Sequence, residues 1–323
     1  MTLTRRRFLL LSGAMLCAAP AQAGASDVLQ IEGPAFGAGW RVRVAAGADA
    51  DAIISVVMAV VEQIDGLMSP YRPQSELSRF NRWHSTAPMP LSPATCATLA
   101  EARRIAALTD GAFDPTLGGI TGRFGFGPLT APPAGGFADM ALVDGAAKKA
   151  HPAQTLDLCG IAKGHALDLI MARLADLGHA DAFVELGGEV MAQGRHPSGR
   201  PWRAAIERPL PGAEAVQARV VINGEALATS GDRANGYDVA GRRFSHIIDP
   251  HTQQPVAGAL ASVSVFAPRA STADALATAL FAMGADHGPA FARDAGLAAL
   301  FMLRQAGGVQ TIATGDFARR YAA

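Results

Sequence analysis

Short apolar runs of strand length, separated by turn residues, fill most of the second half of the chain. The runs RAAIERP, ARVVINGEALATSG, FSHIIDP and ASVSVFAP follow one another, and GLAALFMLRQAGGVQTIAT is typical of a closing hairpin. Helical periodicity occurs in separate blocks, chiefly DADAIISVVMAVVEQIDGLMS, PATCATLAEARRIAALTDG and KGHALDLIMARLADLGHA. Strands joined by hairpins, with helices grouped apart from them, predict an α+β fold and not a doubly wound parallel sheet.

The charge balance restricts the class of partner. Lysine and arginine together number 28, aspartate and glutamate also number 28, and half of the 323 residues are hydrophobic. A neutral chain without an extended basic run is not suited to nucleic acid or to an anionic membrane surface as its main partner. A small, specific ligand is therefore the better hypothesis.

The first 25 residues, MTLTRRRFLLLSGAMLCAAPAQAGA, have the layout of an export signal. A basic segment precedes an apolar stretch from Phe8 to Ala19, and Ala21-Gln22-Ala23 is a small-x-small cleavage site. The Arg5-Arg6-Arg7 cluster is similar to a twin-arginine signal, whose machinery exports folded proteins. We expect residues 1–23 to be a signal peptide, residues 24–323 to be one domain, and the protein to be periplasmic with no membrane span after cleavage. The alternative is an uncleaved N-terminal anchor.

Cysteine usage agrees with folding before export. Cys17 leaves with the signal, so Cys96 and Cys159 are the thiols of the mature chain. Two distant cysteines do not make a disulfide framework, and we expect both to be small buried residues, with a bridge between them left open.

The helix ASTADALATALF, residues 270–281, holds Asp274 and Thr278 one turn apart. Ser271 lies three residues before Asp274, which is the spacing of a capping box, and this ordinary interpretation favours a helix start. A cap does not need the hydroxyl of Thr278, however, and carboxylate and hydroxyl oxygens at i and i+4 suit a hard cation such as Mg²⁺.

Other stretches combine polar groups with glycine or proline. Gly160 and Gly164 flank Lys163 at the start of a helix, where free N–H groups and a lysine can bind an anion. Gly187-Gly188 is first of all a hairpin turn, although paired glycines also admit a flat ring or a phosphate. His246 at the start of HIIDP could act as a general base or could be a structural histidine. Taken singly, each stretch has an ordinary structural explanation.

Taken together, these stretches resemble the ApbE family, the FAD:protein FMN transferases. The resemblance runs from about Met68 to Gly284, and its blocks are MSPYRPQSELSRFN, GAFDPTLGG, DLCGIAKGHALD, VELGGEV, ATSGD, SHIIDPHTQQPV and ADALATALFAMG. It implies a single α+β domain with mixed, largely antiparallel sheets flanked by helices. It also implies an enzyme that binds FAD, uses Mg²⁺, cleaves the pyrophosphate and attaches FMN through a phosphoester to a Thr or Ser of a partner, releasing AMP.

The resemblance assigns roles residue by residue. The metal ligands would be Asp274, Thr278 and the backbone carbonyl of Ala162, and His246 would be the catalytic base. Lys163 with the Gly160 to Gly164 turn would hold phosphate. The remaining FAD contacts implied are Phe36, Tyr71, Ala112, Phe113, Asp114, Cys159, Gly187, Gly188 and Ile248.

Several positions depart from the family pattern. Cys159 stands where Gly is usual and His165 where Tyr is common, while Glu185 and Glu189 stand where Asn and Asp are common and Gln253 where Gly is common. These changes bear on the flavin contacts and leave Asp274 and Thr278 intact. Two alternatives to the transferase stay open, a periplasmic Mg²⁺-dependent FAD pyrophosphatase and a non-catalytic FAD carrier.

The resemblance also implies a protein partner. We expect the acceptor to be the periplasmic FMN-binding domain of a membrane redox complex, with the nitrous-oxide reductase regulator as one case that a twin-arginine signal suggests. The acceptor segment resembles Ser-Gly-Ala-Thr in this family. The stretch LSGAML, residues 11–16, has Met15 where this segment has its acceptor Thr, so it lacks the acceptor hydroxyl and self-flavinylation is not expected.

Overall fold

The computed structural model describes residues 27–132, 134–210 and 215–322. The predicted signal peptide and its cleavage site lie outside these residues. Of the described part of the chain, no helix is both long enough and apolar enough to cross a membrane.

An eight-stranded sheet forms the centre of the molecule. Every described strand pair is antiparallel. In spatial order its strands are β1 (Val28–Ala35), β2 (Ala38–Ala45), β6 (Ala182–Leu186), β7 (Glu189–Gln193), β10 (Glu225–Gly231), β14 (Leu260–Ala267), β15 (Ala299–Gln305) and β16 (Gly308–Ala313).

Three smaller sheets complete the strand set of the described residues. They are β3–β5–β4 (Met89–Pro90, Ala146–Lys149, Met140–Val143), β8–β9 (Trp202–Glu207, Val216–Ile222) and β11–β12–β13 (Gly236–Val239, Arg242–Asp249, Gln254–Ala257). The β8–β9 ribbon and a 3-10 turn, Phe317–Arg320, surround a second apolar cluster that includes Trp202, Phe266 and Phe317.

Helices cover the other face of the large sheet. Those in contact with it are α1 (Ala50–Met68), α5 (Cys159–Asp176), α6 (Ala270–Ala282) and α7 (Gly284–Asp294). Outside them, α2 (Glu76–Arg82) packs on α1, α3 (Pro93–Leu108) packs on α5 and α6, and α4 (Gly118–Arg123) packs on β12. The apolar residues of α1 recur at helical spacing, so Ile53, Val57, Val60 and Ile64 are all buried on one side of the helix. Asp49 caps this helix, since its side chain accepts hydrogen bonds from the backbone N–H groups of Asp51 and Ala52.

Helix α6 lies at the centre of the main core, between α5 on one side and strands β10 and β14 on the other. Eleven of its 13 residues are buried, and most are alanines, so neighbouring backbones approach it closely. At Gly164 of α5 an added Cβ would lie 2.3 Å from the carbonyl oxygen of Ala270. A glycine is therefore required where α5 meets the start of α6.

The predicted fold class is confirmed: the chain forms a single α+β domain with helices on antiparallel sheets. The predicted helices appear as α1, α3, α5 and α6, and the closing hairpin appears as β15 and β16. The run ARVVINGEALATSG is not one strand, because it turns at residues 223–224 and contributes β9 and β10 to two different sheets. Helices α2, α4 and α7 were not predicted.

The prediction that both cysteines are buried is wrong. Cys96 on α3 is half-buried, and Cys159, the first residue of α5, is exposed. Both thiols are free in the structure. Cys159 is exposed because it begins the helix at the surface, where its backbone N–H donates to the Asp157 carboxylate over 2.9 Å.

Candidate active site

The N-terminal ends of α5 and α6 each bind a carboxylate from the other helix. Asp168 of α5 accepts hydrogen bonds from the backbone N–H of Ala270 (2.7 Å), the N–H of Ser271 (3.1 Å) and the Ser271 hydroxyl (2.7 Å). Asp274 of α6 in turn accepts the N–H of Gly164 at 3.1 Å. The capping-box explanation of Ser271 and Asp274 is therefore wrong, because Asp168 caps α6 and Asp274 points to α5.

Asp274 and Glu189, both buried, form a charged group with the partly exposed Lys163. Lys163 Nζ donates to Glu189 Oε1 at 2.5 Å and lies 3.8 Å from Asp274 Oδ1. Only 3% of the Asp274 surface is exposed, and Glu189 is equally buried. Two carboxylates therefore share one ammonium group in a place with little water.

The pKa values of this group reflect the presence of two carboxylates for one ammonium group. Burial raises the pKa of Glu189 to about 7, against the lowering effect of the Lys163 cation. Burial also raises the pKa of Asp274. Although burial alone would lower the pKa of Lys163, the carboxylates of Asp274 and Glu189 raise it above its usual range. Lys163 is therefore charged near neutral pH, and the group as a whole carries an excess of carboxylate.

Thr278 lies on the same side of α6 as Asp274, one turn further along. Its hydroxyl is 3.2 Å from the Ser230 hydroxyl at the end of β10. A Cβ added at Gly160 would lie 3.2 Å from both Thr278 Oγ1 and the Phe113 ring. The fold thus brings Gly160, Phe113, Thr278, Lys163 and Asp274 together from three separate stretches of sequence.

The donor atoms of this cluster suit a hard cation. Asp274 and Thr278 offer only oxygen, and Glu189 Oε2 is buried without a hydrogen-bond partner among the described residues. The excess of buried carboxylate also favours added positive charge. No group of three or more His, Cys, Asp or Glu side chains in the described ranges could hold a metal by itself. A cation here would therefore need Thr278, a backbone carbonyl such as that of Ala162, and oxygens from substrate or water.

His246 is in the form that a general base requires. Its Nδ1 lies 2.9 Å from the carbonyl oxygen of Asn235. A carbonyl can only accept, so Nδ1 carries the proton and Nε2 keeps its lone pair. Burial lowers the pKa of His246, the bond to Asn235 partly offsets this, and the Lys163 cation lowers it further. The imidazole is therefore neutral near pH 7.

The remaining predicted FAD contacts have different surroundings. Gly187 and Gly188 form the β6–β7 turn with φ values of 64° and 101°, and a Cβ on Gly187 would lie 3.4 Å from Lys163 Cδ. Tyr71 is 64% exposed, and its hydroxyl donates to the carbonyl of Phe126 at 3.4 Å. This places the Gly-Gly turn beside the charged group and leaves the Tyr71 ring open to a ligand.

Asp114 has its carboxylate occupied by its own loop. It accepts from the Thr116 N–H (2.8 Å), the Thr116 hydroxyl (2.6 Å) and the Phe137 N–H (3.3 Å). Burial raises the pKa of Asp114. These hydrogen bonds of Asp114 fix the loop that carries Ala112 and Phe113, both of which are buried.

Phe36 and Ile248 are not joined to the charged group by any described contact. Phe36 lies in the β1–β2 turn at φ 51° and packs against the core, and Ile248 is buried in β12.

Comparison with known proteins decides the family. The ApbE family model matches residues 36–301. The chain belongs to the ApbE family.

The similarity extends over nearly the full length of this chain and of its relatives. An FAD:protein FMN transferase of Salmonella typhimurium is 36% identical over 314 residues, covering 91% of this chain and 89% of that protein. A Vibrio cholerae protein of the same name is 33% identical over 325 residues, covering 96% of this chain and 95% of that protein.

Solved structures agree with this. The apo form of the Pseudomonas stutzeri flavinyl transferase ApbE is 34% identical, with a TM-score of 0.83 over 92% of this chain and 97% of that one. The flavin transferase ApbE from Vibrio cholerae gives 32% identity and a TM-score of 0.81. This ApbE protein is thus a flavin transferase, and FAD is the substrate given in the names of its relatives.

Some residues of this ApbE site were not predicted as functional. Asp168 fixes the start of α6, Ser230 contacts Thr278, and the Asn235 carbonyl contacts His246. Glu189 was noted only as a departure from the family pattern. Asp168, Ser230 and Glu189 lie inside the quoted blocks, so a polar residue inside a block was the available signal. Asn235 acts through its backbone carbonyl, which no sequence pattern reveals.

Proposed function

We propose that this ApbE protein transfers FMN from FAD to a Thr or Ser hydroxyl of a periplasmic acceptor protein, with Mg²⁺ bound at Asp274, and releases AMP. The observation that carries the proposal is the state of His246. A neutral imidazole with Nδ1 donating to Asn235 and Nε2 free can accept the proton of an incoming hydroxyl.

The bond changes balance without another reactant. The acceptor hydroxyl oxygen forms a bond to the FMN phosphorus, and the bond from that phosphorus to the bridging oxygen of the pyrophosphate breaks. The hydroxyl proton passes to His246 Nε2, and AMP leaves with the bridging oxygen. The phosphoester product keeps the flavin on the acceptor.

Lys163 and the first turn of α5 would hold the pyrophosphate. Lys163 is charged near neutral pH and lies in the first turns of α5, where a cation suits a bound anion. Gly160 leaves room here, because a larger residue would approach Phe113 and Thr278 at 3.2 Å. The Gly187-Gly188 turn and the open Tyr71 ring would then receive the rest of the FAD molecule.

Asp274, Thr278 and the carbonyl of Ala162 would hold the Mg²⁺ ion. When bound there, Mg²⁺ would neutralise charge on the pyrophosphate and on the departing AMP. Asp274 is already orientated for this, since the Gly164 N–H fixes one carboxylate oxygen and leaves Oδ1 facing Lys163.

The location and the acceptor follow from the predicted export signal. A folded, exported flavin transferase would modify a periplasmic FMN-binding domain of a membrane redox complex, and the nitrous-oxide reductase regulator is one such acceptor to examine. Processing between Ala23 and Gly24 in a periplasmic fraction, lost when Arg5-Arg6 become Lys-Lys, would support this location. A cytoplasmic, unprocessed chain would contradict it.

The decisive experiment is an in-gel fluorescence assay. The mature protein is incubated with FAD, Mg²⁺ and a fusion protein that carries a Ser-Gly-Ala-Thr segment, then run on a denaturing gel. We expect flavin fluorescence on the acceptor band, lost on chelation and lost when the acceptor Thr is replaced by Val. AMP and free FMN with a dark acceptor band would identify a pyrophosphatase instead, and intact FAD would identify a carrier.

A further inference from the structure

One backbone carbonyl, that of Asn235, holds both the main chain and the ring of His246. Its oxygen accepts the His246 backbone N–H at 3.1 Å and lies 2.9 Å from the ring Nδ1. Among the described residues, the pairs between β11 and β12 end at Ser245, and the register between β12 and β13 is irregular around His246. The direction of the Asn235 carbonyl therefore decides where the ring lies and which of its nitrogens carries the proton.

Asn235 belongs to a short loop, residues 232–235, between β10 and β11. Residues 233–235 are exposed, so apolar packing does not fix the loop. Arg233 pairs with Glu207, but both side chains are exposed, and ion pairs of that kind contribute little. A different contact has to hold the Asn235 carbonyl in place.

Arg243 of β12 closes this loop. Its Nη2 donates to the Asp232 carbonyl at 2.6 Å and to the Arg233 carbonyl at 3.4 Å, and its Nη1 donates to the Asp238 carboxylate at 2.9 Å. One guanidinium group thus joins the start of the loop to the strand that follows it. The rigid fork of donors makes this possible, because a lysine has only one donor nitrogen.

The packing around this contact is tight. A Cβ added at Gly236, the first residue after the loop, would lie 2.9 Å from the Asp232 carbonyl oxygen and 3.0 Å from Arg243 Nη2. The Asp232 carboxylate is buried, with Arg243 Nε 3.9 Å from one oxygen, and its other oxygen pairs with Arg304 of β15. The buried Asp232 therefore ties Arg243 to the large sheet.

We infer that Arg243 is a positioning residue for FMN transfer: it fixes loop 232–235 so that the Asn235 carbonyl accepts the Nδ1 proton of His246 and leaves Nε2 free. The inference rests on the proposed function, in which His246 is the base. No described contact joins Arg243 to the imidazole, so Arg243 acts through Asn235.

The test replaces Arg243 with Lys, which keeps the charge and removes the fork of donors. The matched control is Arg320→Lys, because Arg320 Nε and Nη2 donate to Glu225 at 2.8 and 2.9 Å, far along β10 from the loop. The two arginine side chains are also equally exposed, 21% for Arg320 and 20% for Arg243. Asp238→Asn is a milder second variant, since Asp238 is an exposed partner of Arg243.

Five properties of each protein are measured. They are kcat and KM for transfer to the Ser-Gly-Ala-Thr fusion, FAD affinity by quenching of flavin fluorescence, Tm, and the ¹⁵N NMR spectrum of labelled histidine side chains. The spectrum reports the tautomer, because protonated and unprotonated ring nitrogens resonate in separate ranges. Spectra are recorded above the pKa of His246, which burial lowers, and its signals are identified by their absence in His246→Gln.

We expect the wild-type protein to show His246 with its proton on Nδ1. Arg243→Lys should give a mixture of the two tautomers and a kcat that is lower by about 10- to 100-fold, with FAD affinity unchanged. Asp238→Asn should change both properties in the same direction, with kcat lower by about threefold. Arg320→Lys should keep the wild-type tautomer and kcat whatever its Tm.

An Arg243→Lys protein with a lower Tm but the wild-type tautomer and kcat would overturn the inference, because Arg243 would then serve stability alone. Weaker FAD binding with an unchanged tautomer would overturn it as well, by showing that Arg243 serves the substrate. If Arg243→Lys does not fold, the tautomer and kcat of Asp238→Asn decide between the same outcomes. Absence of FMN transfer by the wild-type protein would refute the proposed function, and the tautomer alone would then decide whether Arg243 fixes His246.

Discussion

Replacing Gly164 with Ala tests whether the close approach of α5 and α6 builds the site. The new Cβ would lie 2.3 Å from the Ala270 carbonyl oxygen and 2.7 Å from the Ser271 Cα. Both are backbone atoms at the start of α6, so no side-chain rotation relieves the overlap. The helices must separate, and this separation stretches the bond from the Gly164 N–H to Asp274, now 3.1 Å.

The expected loss of stability is a difference between opposing effects. Overpacking a rigid core contact costs about 1–3 kcal/mol, and here both partners are backbone, which favours the upper end. Alanine in a helix interior regains about 1 kcal/mol over glycine. We expect a net destabilisation of about 2 kcal/mol, or a fall in Tm of about 5 °C for a domain of this size.

Thermal unfolding and a metal titration of AMP release check this prediction together. The matched control is Gly66→Ala in α1, where nothing lies within 4 Å of the new Cβ. That variant should gain up to about 1 kcal/mol and keep its activity. Gly164→Ala should need a higher Mg²⁺ concentration for half-maximal AMP release. An unchanged Tm and an unchanged metal requirement would refute the role assigned to this contact.

Three other substitutions have clear expected outcomes. Asp274→Ala should abolish metal-dependent AMP release, measured by chromatography of the nucleotides; full activity in this variant would exclude Asp274 as a ligand. His246→Ala should slow FMN transfer by about 10²- to 10⁴-fold while FAD still binds, and wild-type transfer should decline as the pH falls below the lowered pKa of His246 and its base is protonated. Lys149 is buried with its Nζ over the Phe80 ring, and burial lowers its pKa from 10.5 to about 8. The unfolded chain therefore binds more protons between these values, and stability should rise with pH from about 8 to 10.5. Lys149→Met should flatten that rise and add about 2 kcal/mol at pH 7, measured by urea unfolding; an unaltered pH dependence would show that Lys149 is not its source.

Local patterns predicted the elements whose burial is periodic. Helix α1 could be predicted because Ile53, Val57, Val60 and Ile64 recur at helical spacing, and the closing hairpin because its two runs flank a Gly-Gly turn. Helix α7 was missed because its sequence, GADHGPAFARD, holds two glycines and Pro289, all weak helix formers. Its packing against α6 and β15 decides its conformation.

The site was less predictable than the fold, because its decisive contacts join distant residues. Whether Asp274 caps its own helix or faces another depends on Asp168, about a hundred positions earlier. Likewise, the protonation pattern of His246 depends on the orientation of one backbone carbonyl. The sequence blocks that resemble the ApbE family identified Asp274, Thr278 and His246 as candidate site residues. Their hydrogen-bond partners could be identified only from the fold.

Asp168 of α5 binds the start of α6, and Asp274 of α6 binds Gly164 of α5. These two contacts affect when the site can form during synthesis. The two partners of the Gly164–Asp274 bond are 110 positions apart in the chain. A ribosome that has released α5 but not α6 therefore holds a chain whose Asp168 has no helix end to bind and whose Lys163 lacks one of its two carboxylates. Under the proposed function, such a nascent chain lacks the proposed pyrophosphate site, so we expect premature termination before residue 270 to yield a product unable to cleave FAD.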